Sequence, residues 1–240
     1  MTKPILLLAD LHLPTQASPL RDAFIRFLEG PAREAGSVYL LGDLFEYWIG
    51  DAEGLQDYAR EISRLATLTA RGVEVFFMHG NRDFMVGAGF AEISGVRMLP
   101  DPQIVQLCGV PTLLSHGDIY CTDDLAYQRW RRFSRRPLAQ WIYRHLPRSL
   151  RARIAGNLRG QSARKVMLPE SIMDVNTDAI EQAFAAHRVQ RLIHGHTHRP
   201  AEHDHRNGCQ RIVLADWRPD RAEYLHVDER GMRRINLPAA

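Results

Sequence analysis

The feature that most constrains this chain is a recurrence: short apolar runs, each closing on a side chain able to bind a metal. ILLLADLH closes on Asp10 and His12, SVYLLGD on Asp43, VEVFFMHGN on Asn81, TLLSH on His116, and RLIHGHTH on His196 and His198. Runs rich in Val, Ile, Leu and Phe, bounded by Gly or a turn, are expected to be buried strands. Such strands would aim their terminal donors at one rim. Helical spacing over residues 20–35 and 55–71 falls between the strand runs, which implies βαβ units with helices outside a largely buried sheet. QRIVLADW and EYLHV add further strands. The expected fold class is α/β, a layered core whose strands carry the site.

Carboxylate, imidazole and amide oxygen, with no thiolate, suit hard or borderline divalent ions such as Mn, Fe, Mg or Zn. The seven donors named above are too many for one tetrahedral ion. They fit two ions about 3.5–4 Å apart that share a carboxylate, which points to a two-metal hydrolase. Alternation along a strand puts residues two apart on the same side, so Asp10 and His12 can reach one ion. His194 shares the parity of His196 and His198 and is either a third ligand or a support behind them. Any one histidine could be an ordinary core residue; the whole set, each after its own apolar run, resists that reading.

With 240 residues and 45% hydrophobic content, the chain can bury one large α/β core with an insertion. Cys108, Cys121 and Cys209 are too few and too scattered for a disulfide framework, and imply reduced, inert thiols. The opening MTKPILLLAD has too short an apolar run for a signal peptide, and no stretch approaches the roughly 18 apolar residues of a membrane span. A cytoplasmic protein is expected.

The strand–helix order breaks between Thr122 and Asn176. Twelve of the chain's 31 Lys and Arg residues lie between Arg129 and Lys165, and no Asp or Glu occurs from Leu125 to Met167. The net charge is only +3, so the rest of the chain is acidic. Trp130, Phe133, Leu138, Trp141, Ile142 and Leu146 recur at roughly helical spacing, with Pro137 and Pro147 punctuating two or three short helices. The expectation is a basic helical cap over 122–170 inserted into a core formed by 1–121 and 171–240. A basic, aromatic, acid-free surface suits phosphates or an anionic bilayer; the plainer alternative is a solvated basic face.

The blocks Asp10-x-His12, Gly42-Asp43, Gly80-Asn81-Arg82-Asp83, His116 and Gly195-His196-x-His198 resemble, in order, the calcineurin-like metallophosphoesterase pattern. The resemblance runs from Ile5 to about Trp217 and implies a metallophosphoesterase β-sandwich flanked by helices. It further implies one ion on Asp10, His12, Asp43 and His198, and a second on Asp43, Asn81, His116 and His196, with Asp43 bridging and water activated between them. Many family members carry His after the Asn ligand, as a proton donor. Here the residue is Arg82, which stays protonated and whose planar fork suits phosphate oxygens. A leaving group that is itself a phosphate, with a second pKa of about 6, needs little protonation, so Arg82 favours a diphosphate substrate.

Finer stretches, LGDLFEYWIGD, HGNRDF, HGDIYCTDD, IMDVN and LIHGHTHRP, resemble the UDP-2,3-diacylglucosamine hydrolases of lipid A biosynthesis. That resemblance implies Mn2+ as the metal, a lipid-nucleotide substrate cut at the α-phosphorus, and a peripheral place on the cytoplasmic face of the inner membrane. It also implies substrate contacts from Asn81, Arg82, Asp124, Ser162, Lys165 and His196. Asp83 and Asp118 are expected to orient neighbouring ligands. His145, His187, His203 and His205 lack strand context and are expected at the surface, while His79 is either packed or a support. The competing readings are another dimetal phosphoesterase, acting on nucleotides, phosphoproteins or nucleic acids, and a non-catalytic membrane scaffold. The scaffold reading predicts a missing ligand, and none is missing.

Overall fold

The computed structural model describes residues 2–165 and 174–238, with side chains described outside 157–165. Two sheets face each other. The first has the order β11-β10-β1-β2-β3-β4, with β1 at Ile5–Leu8, β2 at Ser37–Leu41, β3 at Glu74–Met78, β4 at Arg97–Leu99, β10 at Glu223–Asp228 and β11 at Gly231–Asn236. The second has the order β5-β6-β7-β9-β8, with β5 at Gln103–Leu107, β6 at Val110–Ser115, β7 at Arg191–His194, β8 at Ala201–Asp204 and β9 at Gln210–Val213. β1, β2, β3 and β4 run parallel in register, Leu7 opposite Tyr39 and Tyr39 opposite Phe76. β6, β7 and β9 are parallel as well.

Period-2 alternation sorts the side chains into layers. Leu7, Tyr39, Leu41 and Met78 turn inward to meet Leu114, Ile193 and Ile212 of the second sheet. Leu6, Leu8, Val38, Leu40 and Phe77 turn outward onto helices α1 (Pro19–Glu29) and α3 (Ala59–Ala70) and the helix α4 at Ala88–Ser94. On the far face, Leu113 and Leu192 pack against α8 (Thr177–His187) through Ile180 and Phe184. The result is the layered α/β core expected from the strand runs, arranged as the sandwich that the metallophosphoesterase resemblance implies.

The expected helices are each interrupted. The first stops at Gly30, because Pro31 has no N–H to extend it, and Pro31–Glu34 form a separate 3-10 turn. The second begins early as α2 (Asp51–Asp57) and breaks at Tyr58, whose hydroxyl donates to the Leu13 carbonyl at 2.8 Å. Between the strands of the second sheet, α5 (Leu125–Ser134), α6 (Pro137–His145) and α7 (Arg148–Lys165) form the basic insertion, with Pro137 opening α6. Arg151 ties it to the core, pairing with Glu53 through two bonds of 2.7 and 2.9 Å. Cys121 and Cys209 are buried free thiols, whereas Cys108 is exposed.

Candidate active site

The strands stop short of their donors. β1 ends at Leu8, and Asp10 and His12 then adopt left-handed backbone, with φ of 55° and 47°. Asp43, His196 and His198 do likewise, at 52°, 69° and 55°. Residues with a side chain seldom occupy that region, and strain of this kind gathers at functional sites. This corrects the strand-parity argument: Asp10 and His12 converge because the loop bends, not because a strand alternates. His194, which does lie on a strand, turns the other way. Its Nε2 faces Arg211 Nη1 at 3.2 Å and its Nδ1 meets the Gly195 carbonyl at 2.8 Å, so it is a support and not a third ligand.

The seven candidate donors meet in two clusters joined by Asp43. In one, His12 Nε2 lies 3.2 Å from His198 Nε2, which is 3.5 Å from Asp10 Oδ1. In the other, His116 Nε2 lies 3.1 Å from Asn81 Oδ1 and 3.2 Å from His196 Nδ1. Asp43 sends Oδ2 to within 3.9 Å of His12 and Oδ1 to within 3.9 Å of His116.

His116, Asp43 and Asp10 are held from behind. His116 Nδ1 donates to the Leu41 carbonyl at 3.0 Å, which turns Nε2 toward the site as the ring atom free to bind a metal once it is deprotonated. The peptide N–H groups of Arg82 and His196 donate to Asp43 Oδ1 at 2.8 Å and Asp10 Oδ2 at 2.7 Å. Asp83 fastens two ligand loops together, accepting from Leu44 N and Gly80 N at 2.8 Å each. Close backbone approach permits this: a Cβ on Gly80 would lie 2.1 Å from Asp43 Oδ1.

The buried charges in this site shift one another strongly. Burial, together with the neighbouring Asp10, pushes the Asp43 carboxyl up to about 6. Burial opposes ionisation of Asp10 too, but His198, His116 and His12 outweigh it and hold Asp10 well below the usual carboxylate range. Burial lowers His12 to about 4 and His196 to about 3. His116 goes the other way: burial disfavours its charge, yet Asp43 and Asp10 overcome this and raise it to about 9.

These residues fit a pair of divalent ions. Asp10 Oδ1 is buried without a hydrogen-bond partner, and such an atom is costly unless something else satisfies it. Asp10, His12 and His198 group within metal-binding reach, as do Asp10, Asp43 and His116. The donor set is O and N only, which suits hard or borderline cations.

Beside the Asn81 cluster opens a cavity of about 610 Å³ between core and insertion, lined by Asn81, Arg82, Phe84, Trp130, Ile142 and Tyr143 among others. Arg82 is part of its lining, with Nη1 3.6 Å from Glu46 and its buried Nε without a hydrogen-bond partner. Asp124 has a task in the fold: its carboxylate caps α5, accepting from Tyr127 N at 2.9 Å. Ser162 and Lys165 fall outside the residues whose side chains are described. Asp118 lies beneath the site, bonded to Arg131, and His79 packs on Phe77 with Nε2 2.8 Å from the Val86 carbonyl. His145 and His187 are exposed as expected. His203 and His205 are not: His203 sits on β8, and His205 is partly buried against Glu181 at 3.0 Å. Sequence reasoning missed Tyr127, Glu46 and Asp216, which surround the ligands; their only signal was a place within or beside a ligand block.

A model of the calcineurin-like phosphoesterases matches residues 3–200. The chain belongs to the calcineurin-like phosphoesterase family. Among relatives of this phosphoesterase, the UDP-2,3-diacylglucosamine hydrolase of Stutzerimonas stutzeri is 46% identical over 233 residues, 95% of this chain and 96% of the relative. The UDP-2,3-diacylglucosamine hydrolase of Pseudomonas syringae pv. tomato is 47% identical over 234 residues, covering 95% and 93%. A dimetal phosphatase from Danio rerio aligns with a TM-score of 0.52 and 15% identity, over 100% of this phosphoesterase and 99% of its own chain, a likeness of fold.

Proposed function

We propose that this chain hydrolyses the diphosphate of UDP-2,3-diacylglucosamine, a step of lipid A biosynthesis. Water adds to the α-phosphorus and the bond to the bridging oxygen breaks. UMP and 2,3-diacylglucosamine 1-phosphate are released, with a proton passing to solvent. The observation that carries this reading is the apolar cavity of about 610 Å³ that begins at Asn81 and Arg82. A substrate with two acyl chains needs such a chamber beside the bond that is cut, and a nucleic acid or phosphoprotein does not. Relatives at 46% and 47% identity over nearly the whole chain support the same substrate.

Asp10, His12, Asp43 and His198 would hold one divalent ion, and Asp43, Asn81, His116 and His196 the other, with Mn2+ the favoured metal. Bound there, the ions lower the pKa of water and offset charge on the phosphoryl oxygens. Arg82 binds the diphosphate through its planar fork and stays charged, so it is not the acid. None is needed, because the departing group is a phosphate with a second pKa of about 6. Asp124, Ser162 and Lys165 are proposed to reach the sugar and phosphate from the insertion.

The insertion is also the proposed membrane contact. Leu125, Phe133, Leu138, Trp141, Ile142 and Leu150 are exposed among its arginines, a mixture that suits an anionic bilayer. Trp130 lines the cavity, and Phe133 and Ile142 border it as well as being exposed. No helix among the described residues is long and apolar enough to cross a membrane.

The test offers the lipid nucleotide and a DNA substrate side by side, in heavy-oxygen water. UMP carrying the heavy oxygen is expected. Nuclease activity without UMP release would overturn the substrate, and label in the lipid phosphate would overturn attack at the α-phosphorus.

A further inference from the structure

Tyr127 and Arg131 of α5, and Arg135 at its C-cap, stand four residues apart on one face of the helix. All three press on the same part of the active site. The Tyr127 ring stacks on the ring of His196, with centroids 6.1 Å apart and planes at 26°. Its hydroxyl donates to Asp118 Oδ2 in a short bond. Arg131 Nε donates to the same oxygen at 2.8 Å, and Nη2 to Asp101 Oδ2 at 3.2 Å. Asp101 in turn accepts from Ser115 Oγ at 2.6 Å and from the peptide N–H of His116 at 3.2 Å. Arg135 Nη2 donates to the Gly80 carbonyl at 2.7 Å, in the peptide that leads into Asn81.

The helix thus braces His196, His116 and Asn81, three members of one donor cluster. The other cluster is braced by different elements. Glu46 lies 3.7 Å from His12, and Asp216 lies 3.9 Å from His198.

We infer that α5 is the outer wall of one metal position: docking of this helix on the core sets the affinity of the Asn81–His116–His196 cluster and leaves the His12–His198 cluster alone. The insertion therefore governs metal occupancy as well as covering the cavity. Arg131 and Arg135 are positioning residues in this scheme, because they act through Asp118, Asp101 and the Gly80 carbonyl. The inference rests on the two-metal reading of the site.

The pairing chemistry explains the selectivity. Asp118 is fully buried, and a buried carboxylate that loses its cation forces the surrounding loop to rearrange. The loop that rearranges carries His116. Loss of a support behind a ligand typically weakens metal binding about 10–100-fold.

The test titrates the metal-free protein with Mn2+ alone, following calorimetric stoichiometry and the electron paramagnetic resonance spectrum. Wild-type protein should take two ions and give a spin-coupled spectrum. Arg131→Ala/Arg135→Ala should keep one site at wild-type affinity, weaken the other about 10–100-fold, and show isolated Mn2+ where the coupled signal was. Arg132→Ala removes an exposed arginine of the same helix and should change nothing. Arg131→Lys should restore part of the lost affinity by returning a charge to Asp118. Circular dichroism checks the fold; if the double variant is unfolded, Arg135→Gln, which removes the bond to the Gly80 carbonyl together with the longer pairing to Asp118 at 3.9 Å and the contact over the Phe84 ring, carries the test. Two ions bound at wild-type affinity in a folded variant, or equal weakening of both sites, would overturn the inference. A wild-type protein that binds only one ion would overturn the two-metal reading instead.

Discussion

Arg211 Nη1 lies 3.2 Å from His194 Nε2, with both side chains buried beneath the loop that carries His196 and His198. The guanidinium is always a donor, so Nε2 must be the acceptor and the proton of the ring sits on Nδ1. That proton reaches the Gly195 carbonyl at 2.8 Å. A buried cation thereby fixes the tautomer of a neutral histidine, which in turn holds the peptide before a metal ligand.

Loss of His194 should therefore damage the fold first. His194→Ala removes the acceptor of Arg211 Nη1, leaving that guanidinium only its longer bond to His205, and opens a cavity; it should cost about 2–4 kcal/mol, read from thermal or urea unfolding. Burial, and then Arg211, push the His194 pKa down to about 4. Below its unfolded value near 6.5 the unfolded chain takes up a proton that the folded ring refuses. The stability this residue contributes is thus present above about pH 6.5 and lost as pH falls toward 4. A His194→Gln variant should lose less stability over that window than the wild type; an equal loss would exclude this role.

Metal loading should release a proton. In the metal-free protein burial is outweighed by Asp43 and Asp10, so His116 titrates near 9 and is charged at neutral pH. A ligand must be neutral, so binding at about pH 7 should expel close to one proton from this ring, and apparent affinity should rise with pH until about 9. The same raised pKa stabilises the metal-free fold below about pH 6.5 and ceases to do so as pH climbs through 9. Calorimetry in buffers of different ionisation enthalpy measures the release; no buffer dependence would refute it.

Much of this site was legible in the sequence, for physical reasons. β1, β2, β3, β6 and β7 are buried on both faces, so their runs are continuously apolar and their ends stand out. β4, β8 and β11 are short or polar edge strands, RML, AEHD and GMRRIN, whose alternation is too weak to read. The left-handed backbone of Asp10, His12 and Asp43 left no mark, because nothing in those side chains requires it. The arginines of the insertion read as one basic surface. Arg131 and Arg135 in fact turn inward, and only the position of Asp118 in space reveals why.

Arg82 should matter for its shape as well as its charge. Its side chain lines the cavity with Nε unbonded. Arg82→Lys keeps the charge and loses paired hydrogen bonds, worth about 1.5–3 kcal/mol to a charged group. That predicts kcat/KM for UMP release lower by about 10–100-fold, with metal content unchanged. Wild-type activity in Arg82→Lys would show that the fork is not used.

Asp43 is where the two clusters become one site. Its oxygens face His12 and His116 at 3.9 Å each, and Oδ1 also accepts from the Arg82 peptide. Asp43→Asn preserves that shape but replaces one oxygen with a donor and removes the negative charge. An amide nitrogen does not bind a cation, so one ion loses its bridge, and both lose the charge that offsets their mutual repulsion. Activity should fall by more than about 100-fold, with the coupled Mn2+ spectrum gone while circular dichroism is unchanged. A chelator should abolish wild-type activity and added divalent ion restore it, whereas excess ion should not rescue Asp43→Asn. Full rescue would mean that the carboxylate tunes affinity alone and that the bridge is not required for the chemistry.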